Sequence, residues 1–237
     1  MAENVARKYP SRRITQWIVL PVFFLTVGLG WKYPLLGFSV PIVMLVGVIG
    51  SFFNGRFVCG NLCPRGAFFD RVLDRFVKRR PVPALFYKMS FRIPVFVGLM
   101  GLMGVRILLK PGDIYHWGYV FWVMCVVTSG LGVLLAVLYR PRGWCSFCPM
   151  GTMQNLVGGG KNQLLIDSEK CVECKLCERV CPIGIPIVSY KKNGQILDRD
   201  CLKCSECVYV CPKKALSWRG RESSCNKKRM ERLDEEI

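Results

Sequence analysis

Histidine is almost missing from this sequence: the 237 residues include one, His116. A bis-histidine haem needs two such ligands, so this chain alone holds none unless another chain completes the site. Acidic residues are scarce over the first 160 positions, where Glu3, Asp70, Asp74 and Asp113 face 18 Lys and Arg. That part carries +14 of the formal charge of +18, and residues 161–237 carry the other +4. Polar stretches are scarce there too, because the basic residues punctuate apolar runs of membrane length. The pattern excludes nucleic-acid binding as the reason for the charge. At 51% hydrophobic residues, the composition also argues against one soluble core, a disordered chain or a small disulfide scaffold.

The apolar runs occupy Ile14–Trp31, Leu35–Phe53, Ile93–Leu109 and Trp117–Tyr139, each 17 to 23 residues long. About 20 residues cross a hydrocarbon core as a helix. Trp17, Trp31, Tyr33, Trp117 and Tyr139 mark the ends, as in an aromatic belt. Four transmembrane helices are therefore expected in a lipid bilayer, with fifteen Lys and Arg on one side and only Lys32 and Lys110 on the other. The positive-inside bias puts both termini and the long central loop in the cytoplasm of a prokaryotic membrane. Ser11-Arg12-Arg13 resembles the start of a twin-arginine signal but lacks its continuation, and reads as inside charge.

Cysteine, by contrast, is abundant, with 14 residues. Residues 171–182 read CVECKLCERVCP and residues 201–212 read CLKCSECVYVCP. Both are C-x2-C-x2-C-x3-C-P, the run that holds 4Fe–4S clusters in two-cluster bacterial ferredoxins. One cubane needs four thiolates converging within a few ångströms. Three come from one repeat and the fourth from the other. Cys171, Cys174, Cys177 and Cys211 are thus expected at one cluster, and Cys201, Cys204, Cys207 and Cys181 at the second. Structural zinc is the alternative, but two full repeats with Pro182 and Pro212 intact favour clusters. Lys191-Lys192-Asn193-Gly194 reads as an Asn-Gly hairpin between the repeats.

A second cysteine set lies where the apolar runs end. Arg56-Phe57-Val58-Cys59 leads to Cys63-Pro64-Arg65-Gly66, and Arg142-Gly143-Trp144-Cys145 leads to Cys148-Pro149-Met150-Gly151. Each follows a helical hairpin, so the membrane part is a weak internal repeat that brings four thiols to one surface. Pro64 and Pro149 suit first helical positions, where the dipole and nearby arginines would favour thiolate. Three readings stay open for Cys59, Cys63, Cys145 and Cys148: an additional metal centre, a dithiol relay, or structural pairing. Cys125 reads as packing and Cys225 as a bystander.

Four spans, the CGNLCP and CSFCP motifs, and the C-terminal cysteine repeats together resemble the NapH-type membrane iron–sulfur family over about residues 14–216. That family's core recurs in nitrous-oxide-reductase maturation and cytochrome-oxidase assembly proteins. The resemblance implies quinol-linked electron transfer, with the two Cys-Pro motifs as redox elements. The family usually spaces both motifs as C-x3-C-P, whereas Cys145 and Cys148 stand one residue closer.

The expected architecture is an all-α membrane domain of four transmembrane helices plus a small α+β ferredoxin-like domain. Residues 1–13 form a basic tail, 14–160 the membrane domain, 161–216 the two-cluster domain and 217–237 a charged tail. Ala67–Arg80 has apolar positions at helical spacing and reads as an interfacial helix on the membrane. Gly98, Gly101 and Gly104 suggest close helix approach, with Met100 and Met103 as gap-fillers. Arg106, Asp113 and His116, ionisable groups near the outer end, are candidates for quinone contact. The expected function is a membrane electron-transfer subunit between a quinone pool and a redox partner, which is another subunit of a larger complex or a soluble electron carrier. A metal-reducing assembly factor and a quinone-independent anchor and conduit are the alternatives.

Overall fold

The computed structural model describes residues 10–218. Four helical segments have the length and apolarity to cross a membrane. These are α1 (Pro10–Leu29), α2 (Ser39–Asn54, entered through a 3-10 turn at Pro34–Phe38), α5 (Met89–Leu108) and α6 (Ile114–Leu138). Three short helices sit between and after them: α3 (Phe57–Asn61), α4 (Pro64–Arg71) and α7 (Pro149–Gly158). The chain thus has the multi-pass membrane architecture read from its apolar runs.

The C-terminal module is closed by a two-stranded antiparallel sheet. Strand β1 (Leu164–Ile166) pairs with β2 (Leu216–Trp218), with Ile166 opposite Leu216. Between them lie α8 (Leu176–Val180) and α9 (Glu206–Val210), one for each cysteine repeat. Leu164, Ile166, Ile183, Ile185, Ile187 and Ile196 form its core. These side chains alternate with the ligand loops in sequence, so folding the core also folds the loops over it.

Several expectations change. The Asn193-Gly194 turn does not make a tight hairpin. Val188–Asn193 winds into a 3-10 turn that Gly194 ends at a φ of 67°, and Ile196 then hydrogen-bonds Leu164 instead of the chain before it. The following segment joins β1 because Ile196 gains a place in the core. Ala67–Arg80 is not one interfacial helix either. Helix α4 stops at Arg71, a short 3-10 turn covers Leu73–Arg75, and Pro81 and Pro83 bar further helix. Asp70 is covered by arginines, and Phe69 is completely buried. Protein therefore wraps both sides of α4.

The Gly98, Gly101 and Gly104 stripe faces open space, since a Cβ at any of them would meet nothing within 4 Å. Close approach occurs elsewhere. A Cβ on Gly37 would lie 2.0 Å from the carbonyl oxygen of Gly118, which lets the turn before α2 lie against α6. The charged tail from Arg219 and the bystander Cys225 lie outside the described residues, as do Arg7 and Lys8.

Candidate metal centre

Both cysteine repeats wrap in the same way. Glu173 and Lys175 flank Cys174 in left-handed backbone, and Lys203 and Ser205 flank Cys204 likewise. None is glycine, and such conformations are strained unless their surroundings enforce them. The fourth cysteines also correspond: Ile185 N–H donates to Cys181 Sγ at 3.4 Å and Ala215 N–H to Cys211 Sγ at 3.3 Å. Cys171, Cys174, Cys177 and Cys211 line one recess, which brings the fourth ligand across from the other repeat. Cys207 in turn lies within electrostatic reach of Cys204, Cys201 and Cys181.

This donor set suits iron–sulfur clusters. Four thiols beside one recess match the four thiolates that one cubane needs. Burial pushes Cys201 and Cys177 up to about 12, so without bound cations these thiols stay protonated in an apolar setting. Cluster iron would supply the missing positive charge.

The Cys-Pro motifs meet as a reciprocal pair. Cys63 and Cys148 precede α4 and α7, with Pro64 and Pro149 at the first helical positions as expected. Cys59 lies within electrostatic reach of Cys63, Cys148 and Cys145, so the four thiols gather in one place. The difference in spacing is absorbed by backbone. Cys59 and Cys63 are separated by an α-helical turn, where Gly60 N–H reaches back four residues to the Arg56 carbonyl. Cys145 and Cys148 are separated by a 3-10 turn, where Cys145 N–H reaches back three residues to Arg142. A turn takes about 3.6 residues in the first form and about 3.0 in the second, so each pair stands one turn apart.

The arginine of each motif serves the other. Arg56 donates from Nη2 to the Cys145 carbonyl at 2.6 Å, and Arg142 donates from Nη1 to the Cys59 carbonyl at 2.8 Å. The glycines complete the exchange. A Cβ on Gly151 would lie 2.4 Å from Nη2 of Arg56, and one on Gly66 would lie 2.6 Å from Nη1 of Arg142. Each Cys-Pro-x-Gly glycine thus makes room for the partner motif's guanidinium.

Two carboxylates hold these arginines. Asp70 accepts from Arg142 Nη2 at 2.6 Å, Arg12 Nη2 at 2.6 Å and Gln16 at 2.8 Å. Asp200, next to Cys201, accepts from Arg56 at 2.7 Å, from Asn155 at 2.6 Å and from both ends of the Arg92 fork. Burial alone would raise both carboxyls, but the arginines hold them below the usual carboxylate range. Arg12 also pairs with Glu206, and Arg140 donates to the Cys181 carbonyl at 3.1 Å. The iron–sulfur module is therefore clamped to the arginine-rich end of the membrane helices. Sequence reasoning read these arginines as orientation charge and passed over Asp70 and Asp200. The shared Arg-x-x-Cys order was the available signal. Burial outweighs Arg56 and Arg142 and pushes the Cys59 and Cys145 thiols up.

The centre has two sides. Cys59 and Cys145 pack against the module core that contains Cys181, Leu202 and Cys207. Cys63 and Cys148 border a cavity of about 930 Å³, its open side included, among the membrane helices. Cys125, expected as packing, lines the same cavity. The quinone candidates lie elsewhere. Asp113 caps α6 by accepting from the N–H groups of Tyr115 and His116, and His116 Nε2 sits 3.0 Å from the Arg106 carbonyl. They form one cluster at the far hairpin tip, with Asp113 and Arg106 exposed.

Comparison with known proteins agrees with this organisation. A family model described as a 4Fe-4S binding domain matches residues 36–83 and 117–165, each stretch holding one Cys-Pro motif. A second, described as a 4Fe-4S dicluster domain, matches residues 163–212. The uncharacterized protein MJ0749 of Methanocaldococcus jannaschii is 29% identical over 75% of this chain and 70% of its own length. Ferredoxin-type protein NapH of Haemophilus influenzae is 26% identical over 76% of this chain, and the chain spans 66% of that protein. NAD(P)H-quinone oxidoreductase subunit I of Gloeobacter violaceus is 31% identical over 24% of this chain and 32% of its own length. No solved structure matches. With cluster-binding models matching residues 36–83 and 117–212 and NapH similar over three quarters of its length, the chain belongs to the NapH-type membrane iron–sulfur family.

Proposed function

We propose that this membrane electron-transfer protein exchanges electrons between the quinone pool and a cytoplasmic redox partner. The observation that carries the reading is the two-sided position of the Cys-Pro centre. Cys59 and Cys145 touch the module core, while Cys63 and Cys148 border the intramembrane cavity. Cys171, Cys174, Cys177 and Cys211 would hold one cluster, and Cys201, Cys204, Cys207 and Cys181 the other. Cys59, Cys63, Cys145 and Cys148 would hold an additional metal centre, a reading supported by the cluster-binding family model that spans both motifs. When bound, such clusters supply single-electron transfer, and a quinone takes up or releases two electrons with two protons.

The chain's own residues set the conditions. Leu164, Ile183, Ile196 and Leu202 are nearly inaccessible and exclude water from the ligand loops. Arg56 and Arg142 fix the first cysteine of each Cys-Pro motif by its carbonyl; Arg56 also fixes the module through Asp200, and Arg142 fixes helix α4 through Asp70. The arginine-rich end supports a cytoplasmic position for both termini and the module by the positive-inside bias. NapH-type and quinone-oxidoreductase relatives support a place in a larger redox complex.

Iron and acid-labile sulfide per anaerobically purified chain test the additional centre. Two cubanes give about eight iron atoms and a third gives about twelve. Replacing Cys59 and Cys145 by Ser is expected to lower the value from about twelve to about eight. A value near eight in both proteins overturns the additional centre. Protein in lipid vesicles that neither oxidises menaquinol nor reduces menaquinone overturns the quinone reading and leaves the anchor-and-conduit alternative.

A further inference from the structure

The cavity beside Cys63 and Cys148 is built by all four membrane helices, with Thr26 from α1, Val43 from α2, Met103 from α5 and Met124 from α6 on its wall. Most of the lining is apolar, and five of its side chains are methionines, which are flexible and make favourable contact with ring faces. Met100 and Met103, expected only to fill gaps, belong to this set.

Polar groups on the wall divide into satisfied and unsatisfied ones. Thr26 and Ser39 hydrogen-bond each other at 2.9 Å, and Thr128 donates to the Met124 carbonyl at 2.6 Å. Arg65 and Trp144 differ. The Arg65 guanidinium donates to Thr128 Oγ1 at 2.8 Å and to Cys148 Sγ at 3.2 Å, and no carboxylate pairs with it among the described residues. Arg12, Arg56, Arg92 and Arg142 each have one. A guanidinium has five N–H groups, so donors remain. Trp144 is 3% exposed, and its indole N–H has no hydrogen-bond partner. Its only polar capacity is donation, and a buried donor without an acceptor is unfavourable. The two groups are neighbours, with the Arg65 guanidinium carbon 5.6 Å from the Trp144 ring.

An occupant must therefore be apolar over most of its surface and carry acceptors, but no cation, at the cysteine end. We propose that this cavity seats the ring of a membrane quinone, with Arg65 and Trp144 donating to its carbonyl oxygens. The assignment rests on the quinone reading above and gives it a place beside Cys63 and Cys148, away from Arg106, Asp113 and His116. A lipid acyl chain would suit the methionine wall but leave both donors unpaired. Two of the three candidates at the hairpin tip are already used, because Asp113 caps a helix and His116 faces a carbonyl.

The experiment uses the cluster-loaded protein in lipid nanodiscs and a photoreactive short-tailed menaquinone analogue. Illumination followed by peptide mass spectrometry is expected to place the crosslink on residues 99–103 or 121–128, and this needs no variant. Displacement of the same probe then gives affinity. Trp144→Phe keeps a ring and removes the donor, and is expected to weaken binding about five- to tenfold. Met103→Trp fills the space and is expected to abolish saturable binding, with iron content unchanged in both. Crosslinks confined to residues 106–116, with both variants binding like the parent protein, overturn this location while the quinone reading stands. Displacement by an isoprenoid alcohol as effective as by the quinone makes the cavity a lipid-tail groove and overturns the proposal. Absence of saturable binding to the parent protein overturns both the proposal and the quinone reading.

Discussion

Gly151→Ala tests whether the reciprocal arginines organise the Cys-Pro centre. The new methyl would lie 2.4 Å from Arg56 Nη2 and 3.1 Å from the Cys145 carbonyl oxygen. Relief requires the guanidinium to retreat by roughly 1 Å to reach ordinary contact. Arg56 is only 1% exposed and tied to Cys145 and Asp200, so the retreat breaks at least the bond to Cys145. A hydrogen bond to a charged group is worth about 1.5–3 kcal/mol, and separating a buried ion pair costs about 3–5 kcal/mol. Alanine offsets up to about 1 kcal/mol, because Gly151 lies within helix α7. The net is a loss of about 1–4 kcal/mol. For a protein of this length, that lowers the midpoint of thermal cluster loss by roughly 2–15 °C. In an Arg56→Met background the clash is gone, and the same Gly151→Ala change is expected to be neutral or stabilising. The assay follows the visible iron–sulfur absorption on heating for the four proteins of this cycle. Equal losses in both backgrounds would refute the reasoning, since the glycine would then matter for some reason other than Arg56.

Three further outcomes follow from the same geometry. Asp70 and Asp200 have depressed folded-state pKa values, so their contribution is complete above the unfolded carboxylate value of about 3.9 and is lost as pH falls through the folded values. Proteolysis in the connection between α7 and β1 should therefore stay slow from pH 8 to about pH 5 and accelerate only in strong acid; acceleration already near pH 6.5 contradicts it. Asp113→Ala removes a cap worth about 1 kcal/mol, and hydrogen exchange at Tyr115 and His116 should quicken while iron content and quinone binding hold. Loss of quinone binding in that variant would move the site to the hairpin tip. Alanine at Gly98, Gly101 and Gly104 meets open space, so the triple variant should match or exceed the parent's thermal stability; a clear loss refutes the open placement.

The spans and the cluster-binding module were legible because their signals are local. A membrane helix must satisfy its own backbone and be apolar along its length, so α1, α2, α5 and α6 declare themselves within 20 or so residues. The cubane ligands are dense for a similar reason, which leaves the C-x2-C-x2-C-x3-C-P spacing in plain view. The clamp was illegible because it is long-range. Asp70 gathers Arg12 and Arg142, and Asp200 gathers Arg56 and Arg92, from segments far apart in sequence. Helix periodicity over Ala67–Arg80 misled for the same reason, since the polar face of α4 meets arginines rather than water. The cavity leaves no pattern either. Its wall takes three or four positions from each membrane helix, most of them apolar in a way that lipid contact would explain equally well.

The surplus of positive charge is therefore partly structural, and its buried share is all of one residue type. The deeply buried bases Arg12, Arg56, Arg92, Arg140 and Arg142 are all arginine, while the exposed bases of the long loop mix Arg75, Arg79 and Arg80 with Lys78 and Lys88. Orientation across a membrane needs only charge, for which lysine serves as well. The clamp needs one side chain to hold a carboxylate and a backbone carbonyl at once, as Arg56 holds Asp200 and Cys145 and Arg142 holds Asp70 and Cys59. A planar fork with five donors does this at fixed angles, whereas an ammonium is a compact, strongly hydrated point charge that is costly to bury. Each arginine also ties one Cys-Pro motif to the other and to a carboxylate outside both. The cysteine carbonyls on the two sides of the centre are consequently held in one rigid frame. Lysine at position 56 or 142 would keep the charge and lose the geometry that joins the two motifs.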